Sequence, residues 1–181
     1  MRKLIVAEFV SLDGVMENPV WSLPYWDDEI AAFKGEETSS SDALLLGRKT
    51  YEGFAAAWPG RTNEDDEGAE YMNSVRKYVV TSTLDNLSWN NSHVIKGDIA
   101  TEIARLKAKD GGNLLVNGSA MLVNYLLDHD LVDVYRLLVY PVVLGVGLRL
   151  FTEGNQAKLE LIENKSFESG AVALIYQPAR A

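Results

Sequence analysis

Between residues 3 and 129 a short apolar run gives way four times to a stretch with helical spacing, and no other feature restricts the fold as much. The runs are KLIVAEFV at 3–10, DALLLG at 42–47, KYVVTST with SHVIKG at 77–83 and 92–97, and NLLVNG at 113–118. Several are continuously apolar, as expected of central strands covered on both faces. Helical patterns follow at 27–37, 49–58, 98–112 and 119–129. In the third, Ile99, Ile103 and Leu106 share a face, Asp98 can cap the start, and Gly111 or Gly112 can end it. In the fourth, Ser119 can cap, with Met121, Leu122, Tyr125 and Leu126 on the buried side. This alternation predicts an α/β fold, a mainly parallel sheet with helices on both faces. Past residue 130 the pattern changes to strands at 132–144, 157–168 and 171–178 joined by short turns such as Glu168-Ser169-Gly170. They predict an antiparallel addition at one edge, so the whole sheet is mixed.

A chain of 181 residues fits one domain, residues 1–181. With 47% apolar and 24% charged residues, a packed core is expected. Seventeen basic against 26 acidic residues leave a net charge of -9, which opposes binding to nucleic acid over a broad surface. A small anionic ligand needs only a few cations and backbone N–H groups at one point, so it is not excluded. The absence of cysteine removes disulfide frameworks, thiolate metal sites and thiol nucleophiles. His93 and His129 lie too far apart in sequence to suggest a metal pair, so none is expected. The first apolar run is broken at Glu8, unlike a signal peptide, and no run reaches the roughly 18 apolar residues of a membrane span. A cytoplasmic location without membrane contact is the expectation. The acidic segment 61–70 reads as a solvated loop.

Ligands of open α/β sheets gather outside the carboxyl ends of the strands, where helix N-termini present free N–H groups. Gly47, Arg48, Lys49 and Thr50 occupy such a junction. Glycine lets a phosphate approach the backbone, the cations supply charge, and threonine supplies a hydroxyl. The plainer alternative is a strand-to-helix turn with two solvated cations. Two more junctions present small or hydroxylated residues: Thr81, Ser82 and Thr83 after one strand, and Asn117, Gly118 and Ser119 before Ala120 and Met121 open a helix. Together they fit an extended phosphorylated ligand lying across the sheet edge. Neither the Gly-x-Gly-x-x-Gly fingerprint after the first strand nor a phosphate loop ending in Gly-Lys-Ser/Thr is present. Gly145-Val146-Gly147 falls between strand patterns and reads as a turn.

Four stretches, SLDG at 11–14, LLLGRKTYEGF at 44–54, LLVNGSAMLVNYLL at 114–127 and YPVVLGVGLRLF at 140–151, follow in this order and spacing. Through them nearly the whole chain resembles the dihydrofolate reductase superfamily, and within it the reductase domain of riboflavin-biosynthesis deaminase-reductases and its small stand-alone relatives. The resemblance implies a three-layer α/β/α sandwich and a reduced nicotinamide cofactor, NADPH. It implies that Gly47, Arg48, Lys49 and Thr50 hold the cofactor's phosphates and that Thr81 and Ser82 lie near its adenosine end. Asn117, Gly118, Ser119, Ala120 and Met121 would lie against it, although Ser119 stands where the family usually has a second glycine. It also implies a homodimer, whose interface could include the apolar YRLLVYPVVL, although that stretch reads more strongly as a central strand.

Hydride transfer to a C=N or C=O bond must be matched by a proton. WSLPYWDDEIAAFK, residues 21–34, is similar to the pterin-pocket stretch of dihydrofolate reductases, with two extra residues between Pro24 and the acids. Counting back from Phe33 makes Glu29 the matching carboxylate, whereas counting forward from Pro24 reaches Trp26. Glu29 is preferred, and Asp27 and Asp28 can instead cap the helix. Asp13 is the second acid candidate by resemblance to the riboflavin branch, with a turn aspartate as its alternative. Trp21, Tyr25 and Trp26 could stack on a planar heterocycle or serve the core. The expected activity is NADPH-dependent reduction of a pterin or riboflavin-precursor-like compound. The alternative is a non-catalytic nucleotide- or ligand-binding protein that keeps the fold.

Overall fold

The structure is a computed structural model that describes residues 1–179. Its strands are β1 (Leu4–Ser11), β2 (Ser41–Gly47), β3 (Arg76–Val80), β4 (Ser92–Ile95), β5 (Asn113–Val116), β6 (Val134–Tyr140), β7 (Leu159–Ser166) and β8 (Val172–Pro178). Its helices are α1 (Asp28–Ser39), α2 (Arg48–Ala57), α3 (Ala69–Ser74), α4 (Ile99–Lys107) and α5 (Ala120–Asp128), with a 3-10 helix at Pro19–Tyr25.

The eight strands form one sheet in the order β4-β3-β2-β5-β1-β6-β8-β7. The pairs from β4 to β6 are all parallel, and β8 and β7 then add antiparallel. This is the mixed, mainly parallel sheet with an antiparallel edge that the sequence predicts. The stretch YRLLVYPVVL is a central strand up to Tyr140, between β1 and β8, and stops where Pro141 has no N–H to give.

Strand alternation sorts the core into two faces. Leu4, Val6, Leu45, Val116 and Leu137 pack with Ile103 and Leu106 of α4 and with Leu122, Val123 and Leu126 of α5. From the intervening positions, Ile5, Ala7, Leu44, Leu46 and Leu115 pack with Tyr51 of α2, Met72 of α3 and Trp89. Further along, Leu138, Tyr140, Ala173 and Ile175 meet Ile30 and Phe33 of α1. Helices therefore cover both faces.

Local signals hold at two caps: Asp27 accepts from Ile30 N at 2.8 Å and Asp98 from Thr101 N at 3.1 Å. Three expectations need correction. Met121 is 81% exposed, because α5 turns Leu122, Val123 and Leu126 inward and leaves Met121 outside. Helix α4 ends at Lys107, before the glycines. The acidic segment is exposed over 61–65, but its last two residues open α3, where Ala69 is fully buried.

Candidate active site

Parallel strands deliver their carboxyl ends to one edge of the sheet. In spatial order β3 brings Thr81 and Ser82, β2 brings Gly47, β5 brings Asn117 and Gly118, and β1 brings Ser11. The three junctions picked out from the sequence are therefore neighbours. A notch divides them from β1: its pairing with β5 stops at Val6↔Val116, whereas its pairing with β6 continues to Ser11↔Tyr140. Beyond that point Asn117 Nδ2 donates to Ala7 O at 3.0 Å and braces the opening.

Two glycines let the loops close over this notch. Gly118 has φ +98, and a Cβ there would lie 2.7 Å from Thr50 Oγ1, 3.5 Å from Met16 Cε and 3.8 Å from Glu8 Oε1. Gly47 donates its N–H to Gly118 O at 3.0 Å. A Cβ on Gly47 would collide with Ser119 Oγ and sit 3.0 Å from Ser119 N. Close packing of Ser119 against the backbone is thus a sufficient reason for glycine at 47, independent of the phosphate approach inferred from sequence. Ser119 stands at the N-cap of α5 but makes no side-chain cap hydrogen bond. Ala120 is buried beneath it, and the exposed Met121 points away from the core.

The first turn of α2 contains no acidic residue, and its Gly47 cap offers no side chain to the free N–H groups. Arg48 and Lys49 are exposed there. Arg48 Nη1 is engaged by both oxygens of Glu52 at 3.0 Å, while no carboxylate among the described residues lies within 4 Å of Lys49. Uncapped N–H groups, a helix dipole and a free ammonium suit a phosphate. Thr81 is buried, and its Oγ1 accepts from Thr83 N at 3.2 Å and Leu84 N at 3.1 Å, so its hydroxyl builds its own turn. Ser82 beside it is exposed.

Glu29 does not face the notch, and Asp13 takes the turn role that the sequence offered as its alternative. Glu29 lies on the outer side of α1, half exposed, with Oε1 3.6 Å from Lys165 Nζ of β7. The inward positions of that helix belong to Ile30, Phe33 and Glu37. Asp13 is a turn anchor: Oδ1 accepts from Ser11 Oγ at 2.7 Å and Leu144 N at 3.1 Å, and Oδ2 from Gly145 N at 2.8 Å. These donors, led by the Ser11 hydroxyl, hold its carboxyl down at about 2, so it stays ionised at neutral pH.

The acid beside the notch is Glu8, which in the sequence reads only as a break in the first apolar run. It is 7% exposed, and its Oε1 has no hydrogen-bond partner. Burial holds its carboxyl well above the usual range; Lys34 and the Gly118 N–H pull it down, and Glu37 pushes it up. Its one signal in the sequence is the break it makes in LIVAEFV.

An aromatic wall adjoins β1. Phe9 stands edge-on to Trp26 at 6.3 Å and to Tyr140 at 5.5 Å, while Trp21 and Tyr25 reach Tyr140 at 5.7 and 5.9 Å. Trp21 and Tyr25 are half-buried, whereas Trp26 keeps 47% of its surface free. Lys34 Nζ lies 5.2 Å from the Phe9 ring centroid and also pairs with Glu37. Glu37 in turn receives Arg136 Nε at 3.1 Å, so this buried carboxylate is doubly paired.

Residues 2–174 match the family model of the RibD C-terminal domain. The chain is 34% identical over 185 residues to the uncharacterized protein YwjB of Bacillus subtilis (strain 168), with 97% of each chain covered. It overlays the diaminohydroxyphosphoribosylaminopyrimidine deaminase/5-amino-6-(5-phosphoribosylamino)uracil reductase of Thermotoga maritima with a TM-score of 0.70 at 17% identity, covering 98% of this chain and 57% of that one. The dihydrofolate reductase of Enterococcus faecalis, complexed with NADP(H) and RAB-propyl, gives a TM-score of 0.67 at 17% identity, covering 98% and 97%. These overlays establish the fold as dihydrofolate reductase-like.

Proposed function

The chain belongs to the RibD C-terminal domain family, and from that premise we propose that it is an NADPH-dependent reductase. Its substrate is a small planar nitrogen heterocycle, a pterin or a riboflavin-precursor-like compound. The observation that carries this reading is the α2 N-terminus, with uncapped N–H groups beside Lys49, set between the β3 and β5 ends on one sheet edge. The family resemblance adds the proposal of a cytoplasmic homodimer. No helix among the described residues is long and apolar enough to cross a membrane.

In this proposal the α2 N–H groups, Lys49 and Arg48 hold the cofactor's phosphates, and Ser82 lies at its adenosine end. Asn117 and the Gly118–Ala120 turn support it across β5. When bound, the nicotinamide supplies the hydride. The chain's own work is to place the acceptor and provide a proton. Trp26 and Phe9 offer the apolar surface on which a flat ring can be held. With Asp13 ionised and Glu29 on the outer surface, the proton comes from an ordered water. That neither acid is free to give a proton at the notch also favours a second reading, a nucleotide-binding protein without turnover.

Titration with NADPH, and with NADH for comparison, can be followed through quenching of the four tryptophans and energy transfer to the nicotinamide. Saturable binding that prefers NADPH and is weakened by Lys49→Ala is the expected result. Failure to bind either cofactor would remove the reductase reading. Binding without oxidation of NADPH across a screen of pterins and pyrimidines would favour the second.

A further inference from the structure

We infer that the Glu8 carboxyl recognises the carboxamide of the nicotinamide at the floor of the notch between β1 and β5, a role that rests on the reductase reading. The argument begins with an atom. Glu8 Oε1 is buried and has no hydrogen-bond partner, and an orphaned polar atom in a dry site is costly unless a ligand completes it. Its surroundings fix where that ligand arrives. Gly118, Thr50 and Met16 converge beside it, and β5 no longer pairs with β1 there.

The order of strands gives the direction. A nucleotide with its adenosine end at Ser82 of the β3 loop and its phosphates at the start of α2 must continue past β5 to reach β1. That is three strand spacings, about 14 Å at about 4.8 Å each. The far end of the ligand therefore reaches Glu8.

The chemistry then selects the group. A protonated carboxyl presents a donor and an acceptor side by side, which is the complement of a primary amide; a carboxylate presents two acceptors and clashes with the amide carbonyl. Burial favours the protonated form of Glu8, with Lys34 and Glu37 of α1 the charged groups that act on it in opposite senses. The sign follows. Recognition is complete below the raised folded pKa of Glu8 and weakens as pH rises through it.

The test compares two ligands, NADPH and 2′-phospho-ADP-ribose, which keeps the phosphates and adenosine but has no carboxamide. Binding is measured by tryptophan fluorescence for the wild type, Glu8→Gln and Glu8→Leu, from neutral into alkaline pH. Glu8→Leu should weaken NADPH binding by about tenfold, the loss of two modest hydrogen bonds, and leave the carboxamide-free ligand unaffected. Glu8→Gln also offers a donor and an acceptor, so it should bind NADPH nearly as well as the wild type, without the decline as pH rises. Equal losses for both ligands in Glu8→Leu, or undiminished NADPH binding, would overturn the assignment while leaving the reductase reading intact. If the wild type binds neither ligand, both fall together. Thermal melts of each variant separate these outcomes from misfolding.

Discussion

Replacing Gly47 by alanine separates two explanations of the same residue. Its backbone, at φ -74 and ψ 158, is open to any L-amino acid, so the substitution carries no dihedral strain. What it meets is Ser119, whose Oγ collides with the new methyl, with Ser119 N at 3.0 Å and Cβ at 3.1 Å. Overpacking of this kind costs about 1–3 kcal/mol. A loss of about 2 kcal/mol lowers Tm by about 4–8 °C in a chain of this size. Ser119→Gly removes two of those three atoms. Because the Ser119 side chain makes no cap hydrogen bond, that change alone costs only a few tenths of a kcal/mol. Combining them should restore about 1–2 kcal/mol, the coupling expected of residues in contact. Guanidinium unfolding of the wild type, both single variants and the double variant measures this cycle. If Gly47→Ala keeps wild-type stability but loses NADPH binding, glycine is required for the ligand and the packing argument is wrong. Additive losses in the double variant would refute it as well.

Glu52→Gln frees the Arg48 guanidinium from an exposed i,i+4 pair, so NADPH should bind about twofold tighter at low salt, with the gain shrinking as salt is added; titrations at two ionic strengths check it. Asp13, depressed to about 2 in the fold from an unfolded value of about 3.9, adds stability that is fully present above the unfolded pKa and lost as pH falls through the folded one. Asp13→Asn should therefore be less stable at neutral pH and show a flatter decline between about pH 4 and pH 2, read from melts followed by circular dichroism; parallel declines would remove Asp13 as a native-state anchor.

The alternation of strands and helices is readable because it rests on local signals. Continuous apolar runs mark strands covered on both faces, and Asp27 and Asp98 mark helix starts that the structure confirms by hydrogen bonds. Strand order is not local. Nothing between residues 4 and 11 announces that β1 lies between β5 and β6, partners more than 100 residues away. The 3-10 helix escapes because Pro24 sits inside it, where proline ordinarily argues against a helix. The exposure of Met121 is not legible in the sequence because LVNYLL is apolar on too many sides for spacing alone to fix its phase.

The candidate site divides along the same line. The placement of Gly47, Ser82, Asn117 and Gly118 on one edge is legible because strand-to-helix junctions have a composition of their own, and parallel strands bring those junctions to one edge whatever the strand order. The surroundings of the two acids are not legible in the sequence, because a carboxylate's role depends on what the fold brings to it. Asp13 faces two backbone N–H groups more than 130 residues away, and Glu29 faces β7 rather than the notch. Glu8 carried the better signal throughout. A charged residue in the middle of a central parallel strand has no solvent to meet on either face. The fold must then supply a partner, or hold the acid neutral and leave its open valence to a ligand. Here the partner is missing at Oε1, and the strand beside it has ended two residues earlier. An interruption in an apolar run therefore reports more about function than the many acids on helices and loops, whose charges water alone can satisfy.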